Sequence, residues 1–128
     1  MNKKVVVVDD SEFDISMLRR GLRTAGADID LIEVNDSGKA VSVISSEEPV
    51  LAILDVSMPV LDGFEVLSAV RSDDRLQEMR VLMLSGSTSM TDRLKAEQMG
   101  VDWYRVKPET LDGYYQLGAE IIKLVQPE

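Results

Sequence analysis

Acidic, hydroxyl and amino side chains in this sequence stand where short apolar runs stop. Asp9 and Asp10 come directly after four consecutive valines, and Asp55 ends a run of four apolar residues. Ser85 follows a third run, and Lys107 follows a shorter, mixed segment. Short runs of this kind are typical of buried strands in a parallel sheet. Because ligands gather at the carboxyl ends of such strands, we expect these five side chains to lie close together.

Such a group of side chains would need a cation. Two carboxylates ~4 Å apart repel by about 4 kcal/mol at an effective dielectric near 20, so three would not all stay ionised alone. Lys107 can balance one charge, and Mg²⁺ suits the remaining set of oxygen ligands. A phosphoryl group could then be held by Mg²⁺, Lys107, the Ser85 hydroxyl and backbone N–H groups near Ser57 and Gly86. The Asp55 carboxylate could attack phosphorus and form an acyl phosphate.

Each of these residues also has an ordinary structural explanation. Asp55 can start a turn, Asp9 and Asp10 can cap a helix, and Ser85 before glycine is common in turns. Lys107 can lie in a solvated loop. Their joint occurrence at the ends of four strands favours the phosphoryl site over these separate explanations.

Apolar periodicity predicts the elements that would position the site. Strands are expected at 5–8, 29–34, 51–54, 81–84 and 102–106. Helices are expected at 11–25, between Asp36 or Ser37 and Pro49, from Asp62-Gly63 onward, at 91–99 and at 111–125. Glycines in the last helix, at 113 and 118, should each cost it roughly 1 kcal/mol relative to alanine.

This alternation predicts one α/β domain covering residues 1–128. The expected fold is a doubly wound, five-stranded parallel sheet of the flavodoxin-like type, with strand order 2-1-3-4-5 and helices on both faces. In that order the first and third strands are neighbours. The switch point therefore lies between strand ends that carry Asp9, Asp10 and Asp55.

Composition narrows the class of protein. The net charge of −9 argues against direct binding of nucleic acid, which requires clustered basic residues. No apolar run is long enough for a membrane helix. The absence of cysteine excludes disulfides and thiolate metal sites, and fits a cytoplasmic location. The chain contains no histidine, so it cannot itself carry a phosphohistidine.

Four segments together make the chain resemble a response-regulator receiver domain of two-component signalling, similar to chemotaxis regulators. They are residues 7–11, 54–59 with Asp62-Gly63, 84–86 and 106–108. The resemblance covers essentially the whole chain. It implies a signalling switch in which Asp55 accepts a phosphoryl group from a partner histidine kinase or histidine phosphotransfer protein.

The resemblance also implies roles for the neighbouring residues. Asp10, Asp55 and the Ser57 carbonyl would ligate Mg²⁺ directly, and Asp9 would act through water. Ser85 and Lys107 would contact the phosphoryl oxygens.

A switch residue and an output surface are implied as well. Tyr104 would turn inward as Ser85 moves toward the phosphate, and the Lys107-Pro108 bond would be cis. The face of the fourth helix, last strand and last helix would bind a target or form a homodimer. The thin apolar anchoring of that helix, at Met90, Leu94 and Met99, should make it locally less stable. Ser57 and Ser87 would line the path of hydrolytic water, leaving the lifetime of the phosphorylated state open.

Alternatives remain at this point. The chain could be an aspartyl-phosphate hydrolase of the haloacid-dehalogenase type, although Ser11 stands where those enzymes carry a second acid. It could be a flavin carrier, although its first loop is acidic rather than rich in Ser, Thr and Gly. It could also be a receiver-like scaffold that never takes phosphate. As a receiver, it would act either as a free-standing protein or together with a missing output domain, since none follows Pro127.

Overall fold

Five short strands form the centre of the chain, and helices connect them. The computed structural model describes residues 3–26, 28–86 and 88–126. The strands are β1 (Lys3–Val8), β2 (Ile29–Val34), β3 (Leu51–Asp55), β4 (Val81–Ser85) and β5 (Trp103–Val106). The helices are α1 (Glu12–Thr24), α2 (Ala40–Glu47), α3 (Gly63–Ser72), α4 (Met90–Gln98) and α5 (Leu111–Val125), and a 3₁₀ turn, Ser37–Lys39, precedes α2.

The sheet is parallel and has the strand order β2-β1-β3-β4-β5, which confirms the predicted topology. Val8 pairs with Leu54, and Asp55 pairs with Leu84 on the next strand. The carboxyl ends of β1, β3 and β4 therefore finish at the same edge of the sheet.

Two apolar cores lie on opposite faces of this sheet. Val5 and Val7 of β1 face the core formed with α1 and α5, whereas Val6 and Val8 face the core formed with α2, α3 and α4. This alternation explains why the strands read as uninterrupted apolar runs, since both faces of the central strands are buried.

Helices α1 and α5 approach each other so closely that only glycine fits at their crossing. A Cβ on Gly118 would collide with the backbone of Gly21, and a Cβ on Gly21 would collide with the backbone carbonyl of Tyr114. The cost of Gly118 to the helix therefore has a packing reason that its sequence pattern does not reveal.

Helix α4 is attached to the core mainly through one small side chain. Ala96 is fully buried, whereas Met90 and Leu94 are 66% and 53% exposed. The expectation that Met90 and Leu94 anchor this helix is wrong, because both side chains lie on its solvent side. Met99, just after the helix, does pack against the core.

Polar side chains cap the helices as their sequence positions indicate. Asp62 and Glu65 form a reciprocal capping box at the start of α3, and Asp36 caps the turn that leads into α2. Within the described ranges, no helix combines the length and apolarity that a bilayer crossing requires.

Candidate functional site

Three carboxylates converge where the carboxyl ends of β1 and β3 lie side by side. Asp9, Asp10 and Asp55 each offer one oxygen, and these oxygens all lie within 4.8 Å of one another. Asp9 and Asp55 are buried, and Asp10 is exposed. The Asp9 carboxylate also accepts a hydrogen bond from the Ser11 backbone N–H at 2.9 Å, which fixes its orientation.

The Lys107 ammonium extends from the loop after β5 into this acidic group. Its Nζ lies 2.9 Å from Asp9 Oδ2 and 3.2 Å from Asp55 Oδ1. The Lys107 backbone N–H donates to the Ser85 carbonyl at 2.7 Å, which ties the loop to the end of β4. The structure thus brings the predicted lysine to the predicted acids.

Burial and crowding of like charges shape the titration of Asp55. Burial and the neighbouring Asp9 raise the pKa of Asp55 to about 6, and the Lys107 ammonium offsets this only in part. Burial lowers the pKa of Lys107, but its hydrogen bonds to Asp14 and Asp9 outweigh burial, so its pKa is raised overall. Lys107 therefore stays charged, but its single positive charge does not fully compensate the negative charge of ionised Asp55.

The donor set fits a hard divalent cation. All three side chains offer carboxylate oxygens, which Mg²⁺ prefers, and exposed Asp10 makes the group accessible from solvent. Ser57, two residues after Asp55, is exposed and lines an open cleft between the β3–α3 loop and α4. One lysine does not balance three carboxylates, so a cation in this group would relieve their repulsion.

Gly63 allows the chain after Asp55 to fold tightly under the site. Its N–H donates to the Val56 carbonyl at 2.9 Å, and a Cβ at this position would collide with the Asp55 carbonyl oxygen. The Asp62-Gly63 pair therefore both starts α3 and leaves room for the backbone that carries Asp55.

Ser85 and Tyr104 lie on the neighbouring strands β4 and β5. Ser85 is buried at the end of β4. The Tyr104 side chain is only 3% exposed, so it already lies inside the protein, and within the described residues its hydroxyl has no hydrogen-bond partner. The Arg93 guanidinium of α4 lies 5.1 Å from the centre of its ring. Ser87, the second residue expected near hydrolytic water, lies outside the described residues.

The expected cis bond before Pro108 is wrong for this structure. No cis peptide bond occurs in the described parts of the chain, so Lys107-Pro108 is trans. Trans is the preferred isomer even before proline, by about 0.5–1 kcal/mol. Lys107 reaches the carboxylates in this geometry as well.

One residue of the site was missed by the sequence analysis. Asp14 Oδ2 lies 2.7 Å from Lys107 Nζ, which is the shortest contact that this ammonium makes with a carboxylate. Asp14 is in the first turn of α1, four residues before Leu18 and eight before Leu22, both of which are buried. Residues four apart share a helix face, so the sequence places the Asp14 carboxylate on the buried face of α1. This position was the available signal that Asp14 is not an ordinary surface acid.

Comparison with known proteins places the chain in a family. The family model described as "Response regulator receiver domain" matches residues 5–116. The chain belongs to this family. Receiver domains are signalling modules of two-component response regulators, and the fold found here is their CheY-like, flavodoxin-like fold.

Sequence relatives include full-length regulators from several bacteria. The chain is 35% identical over 108 residues to the alkaline phosphatase synthesis transcriptional regulatory protein PhoP of Bacillus subtilis, covering 84% of the chain and 43% of PhoP. It is 31% identical over 128 residues to the response regulator MprA of Mycobacterium bovis, covering all of the chain and 54% of MprA. The chain thus spans about half the length of the curated relatives it matches.

Solved structures agree closely in fold. The Mn²⁺-bound form of response regulator Rcp1 superposes with a TM-score of 0.83 at 26% identity, covering 93% of this chain and 91% of Rcp1. The phosphorylated cyanobacterial phytochrome response regulator RcpA gives 0.85 at 27% identity, with coverage of 94% and 91%. Chemotaxis response regulator CheY4 of Vibrio cholerae gives 0.81 at 27% identity, with coverage of 98% and 100%.

Proposed function

We propose that this chain is a phosphorylation-dependent switch in which Asp55 is the phosphoacceptor. The observation that carries the proposal is the contact of Lys107 Nζ with both Asp55 and Asp9, inside a group of three carboxylates. A carboxylate acceptor, an ammonium and a cluster of oxygen ligands are the parts that in-line phosphoryl transfer needs. The proposed switch covers residues 1–128 as one domain and acts in the cytoplasm.

Phosphoryl transfer would begin at the Asp55 carboxylate. One of its oxygens attacks the phosphorus of a phosphohistidine, an O–P bond forms, and the N–P bond to the imidazole breaks. Because this chain has no histidine, the phosphohistidine must come from a partner, either a histidine kinase or a histidine phosphotransfer protein. The product is an acyl phosphate on Asp55.

Side chains around Asp55 would stabilise the charge of the transferred group. Asp9, Asp10 and Asp55, with the Ser57 carbonyl, would hold Mg²⁺, which when bound neutralises charge on the phosphoryl oxygens. The Lys107 ammonium would pair with one phosphoryl oxygen, and the Ser85 hydroxyl would donate a hydrogen bond to another.

The signal would leave the site through β4 and β5. Ser85 would shift toward the phosphoryl group. The Tyr104 ring, which is already buried and packs under Arg93 of α4, would then move into the space that Ser85 leaves. The surface of α4, β5 and α5 carries the exposed apolar side chains Met90, Leu94 and Val106. This surface would bind a downstream protein, an output domain or a second copy of the chain.

Labelling with acetyl phosphate tests the acceptor directly. We expect the wild-type chain to gain the mass of one phosphoryl group in the presence of Mg²⁺, and not in the presence of EDTA. Asp55→Asn should gain none, whereas Asp30→Asn, which removes an exposed carboxylate from β2, should behave as wild type.

Turnover separates this proposal from a hydrolase. The switch should modify only itself, whereas a hydrolase would release phosphate continuously from an added phosphoester. Labelling at another residue, or equal labelling of the Asp55→Asn variant, would contradict the assignment.

A further inference from the structure

The Lys107 ammonium is surrounded by carboxylates. A lysine ammonium has three N–H donors. Its Nζ has three carboxylate oxygens around it, from Asp14 at 2.7 Å, Asp9 at 2.9 Å and Asp55 at 3.2 Å. A phosphoryl oxygen that pairs with Lys107 must therefore compete with these carboxylates for the ammonium.

Asp14 differs from the other two partners in its origin. Asp9 and Asp55 come from the ends of β1 and β3, whereas Asp14 comes from the first turn of α1 and is not part of the group of oxygens that could ligate a metal. Its carboxylate holds Lys107 from the α1 side, next to a small enclosed cavity that Tyr114 of α5 also lines. The contact is partly buried, since the Lys107 side chain is 14% exposed and that of Asp14 is 27% exposed.

We propose that Asp14 restrains Lys107 and competes with the phosphoryl group on Asp55 for its ammonium. This inference rests on the proposed function. Asp14 competes through both contact and charge. It accepts a hydrogen bond from Lys107 at 2.7 Å, and its negative charge repels a second anion nearby. Asp14 is thus a positioning residue that makes Asp55 harder to phosphorylate and its phosphorylated form less populated.

Asp14→Asn is the most informative variant, because it keeps the size of the side chain and an oxygen acceptor but removes the charge. Glu12→Gln is its matched control: it removes one charge from the same first turn of α1, from an exposed side chain that makes no ion pair with Lys107. Beryllofluoride, a mimic of the phosphoryl group, serves as the probe, with Mg²⁺ in excess and ¹⁹F NMR as the readout.

We expect Asp14→Asn to half-saturate at a roughly 3- to 10-fold lower beryllofluoride concentration, as when a charge-assisted contact no longer competes. Glu12→Gln should match wild type. Equal or weaker binding by Asp14→Asn would overturn the role of Asp14. If wild type binds no beryllofluoride at all, the proposed function itself fails, so the two failures are distinguishable.

A second readout needs neither metal nor phosphoryl mimic. In metal-free protein, the ¹H–¹⁵N signal of the Lys107 ammonium reports exchange of its protons with water. We expect slow exchange in wild type and in Glu12→Gln, and faster exchange in Asp14→Leu, which loses the contact entirely. An ammonium that exchanges equally fast in wild type and Asp14→Leu would show that Asp14 does not hold Lys107, and would overturn the proposal.

Discussion

Helices α4 and α5 lie on opposite faces of the sheet and are attached to it very differently. Helix α5 buries five residues, crosses α1 at backbone contact, and has its last carbonyls bound by Lys3 and Arg80. Helix α4 buries only Ala96 and leaves Met90 and Leu94 in solvent. Both helices contact β5: Arg93 of α4 lies over the Tyr104 ring, and Glu120 of α5 forms an ion pair with Arg105.

This difference indicates that the two sides of the sheet have different roles. The α1–α5 side carries Asp14 and supports the loop of Lys107, so it holds the site in a fixed geometry. The α4 side has few buried contacts and can shift at low cost when the site changes charge.

The backbone contact of α1 and α5 should be intolerant of a single methyl group. Alanine in place of glycine normally stabilises an exposed helix by about 1 kcal/mol. At Gly118 we expect the opposite sign, a loss of about 3 kcal/mol or more, because the added Cβ collides with the backbone at Gly21. Urea unfolding measures this change.

A matched variant on the same helix controls for propensity. Gln116→Ala changes an exposed residue of α5 and should leave stability nearly unchanged. If Gly118→Ala is as stable as wild type, α1 and α5 are not in backbone contact, and the inference that this side of the protein is rigid is wrong.

The negative charge of Asp55 should lower the free energy of unfolding of the metal-free protein. The pKa of Asp55 is about 6 in the folded state, against an ordinary value of 3.8, so the folded state binds this proton more tightly than the unfolded state. The charged carboxylate therefore destabilises the folded protein above pH 6, and this cost disappears as the pH falls from 6 toward 4.

Asp55→Asn removes that charge. We expect the metal-free variant to be more stable than wild type by about 2 kcal/mol at pH 7.5, with the difference shrinking as the pH is lowered through 6. Urea unfolding in EDTA across this pH range measures it, and Asp30→Asn is the control. A difference that stays constant with pH would mean that Asp55 titrates normally.

The packing of α4 over Tyr104 should be weak. Arg93 lies over the ring of Tyr104, and a contact of this type contributes about 0.5–1 kcal/mol. We expect Arg93→Ala to lower stability by no more than this, while hydrogen exchange in α4 becomes faster. Arg93→Lys keeps the cation and should retain part of the protection. A large global loss from Arg93→Ala would show that α4 is a fixed part of the core.

Local patterns in the sequence predicted most of the secondary structure and the topology of the sheet. The apolar runs and their order located all five strands, the periodicity of α5 matched its bounds, and Asp62 was recognised as a helix start. These features depend on residues near one another in sequence. The meeting of Asp9, Asp10, Asp55 and Lys107 at one edge also followed, because parallel strands deliver their carboxyl ends together.

Features that depend on tertiary packing were not predictable in this way. Asp14 reads as an ordinary acid in a first helical turn, and only the position of Lys107 makes it part of the site. Gly118 reads as a weak point in a helix until its contact with Gly21 is known. Met90 and Leu94 have the spacing of an anchored face, yet a four-residue strand offers α4 little surface to cover.

Amide hydrogen exchange with and without beryllofluoride and Mg²⁺ tests the central claim most directly. In the free protein, residues 91–99 should be less protected than the central strands. On addition of the mimic, protection should change at the ends of β3 and β4, in α4 and in β5, while the interior of α1 and α5 stays constant; Asp55→Asn should show no change. A response confined to α1 and α5, or α4 amides as protected as β3 in the free protein, would contradict the account.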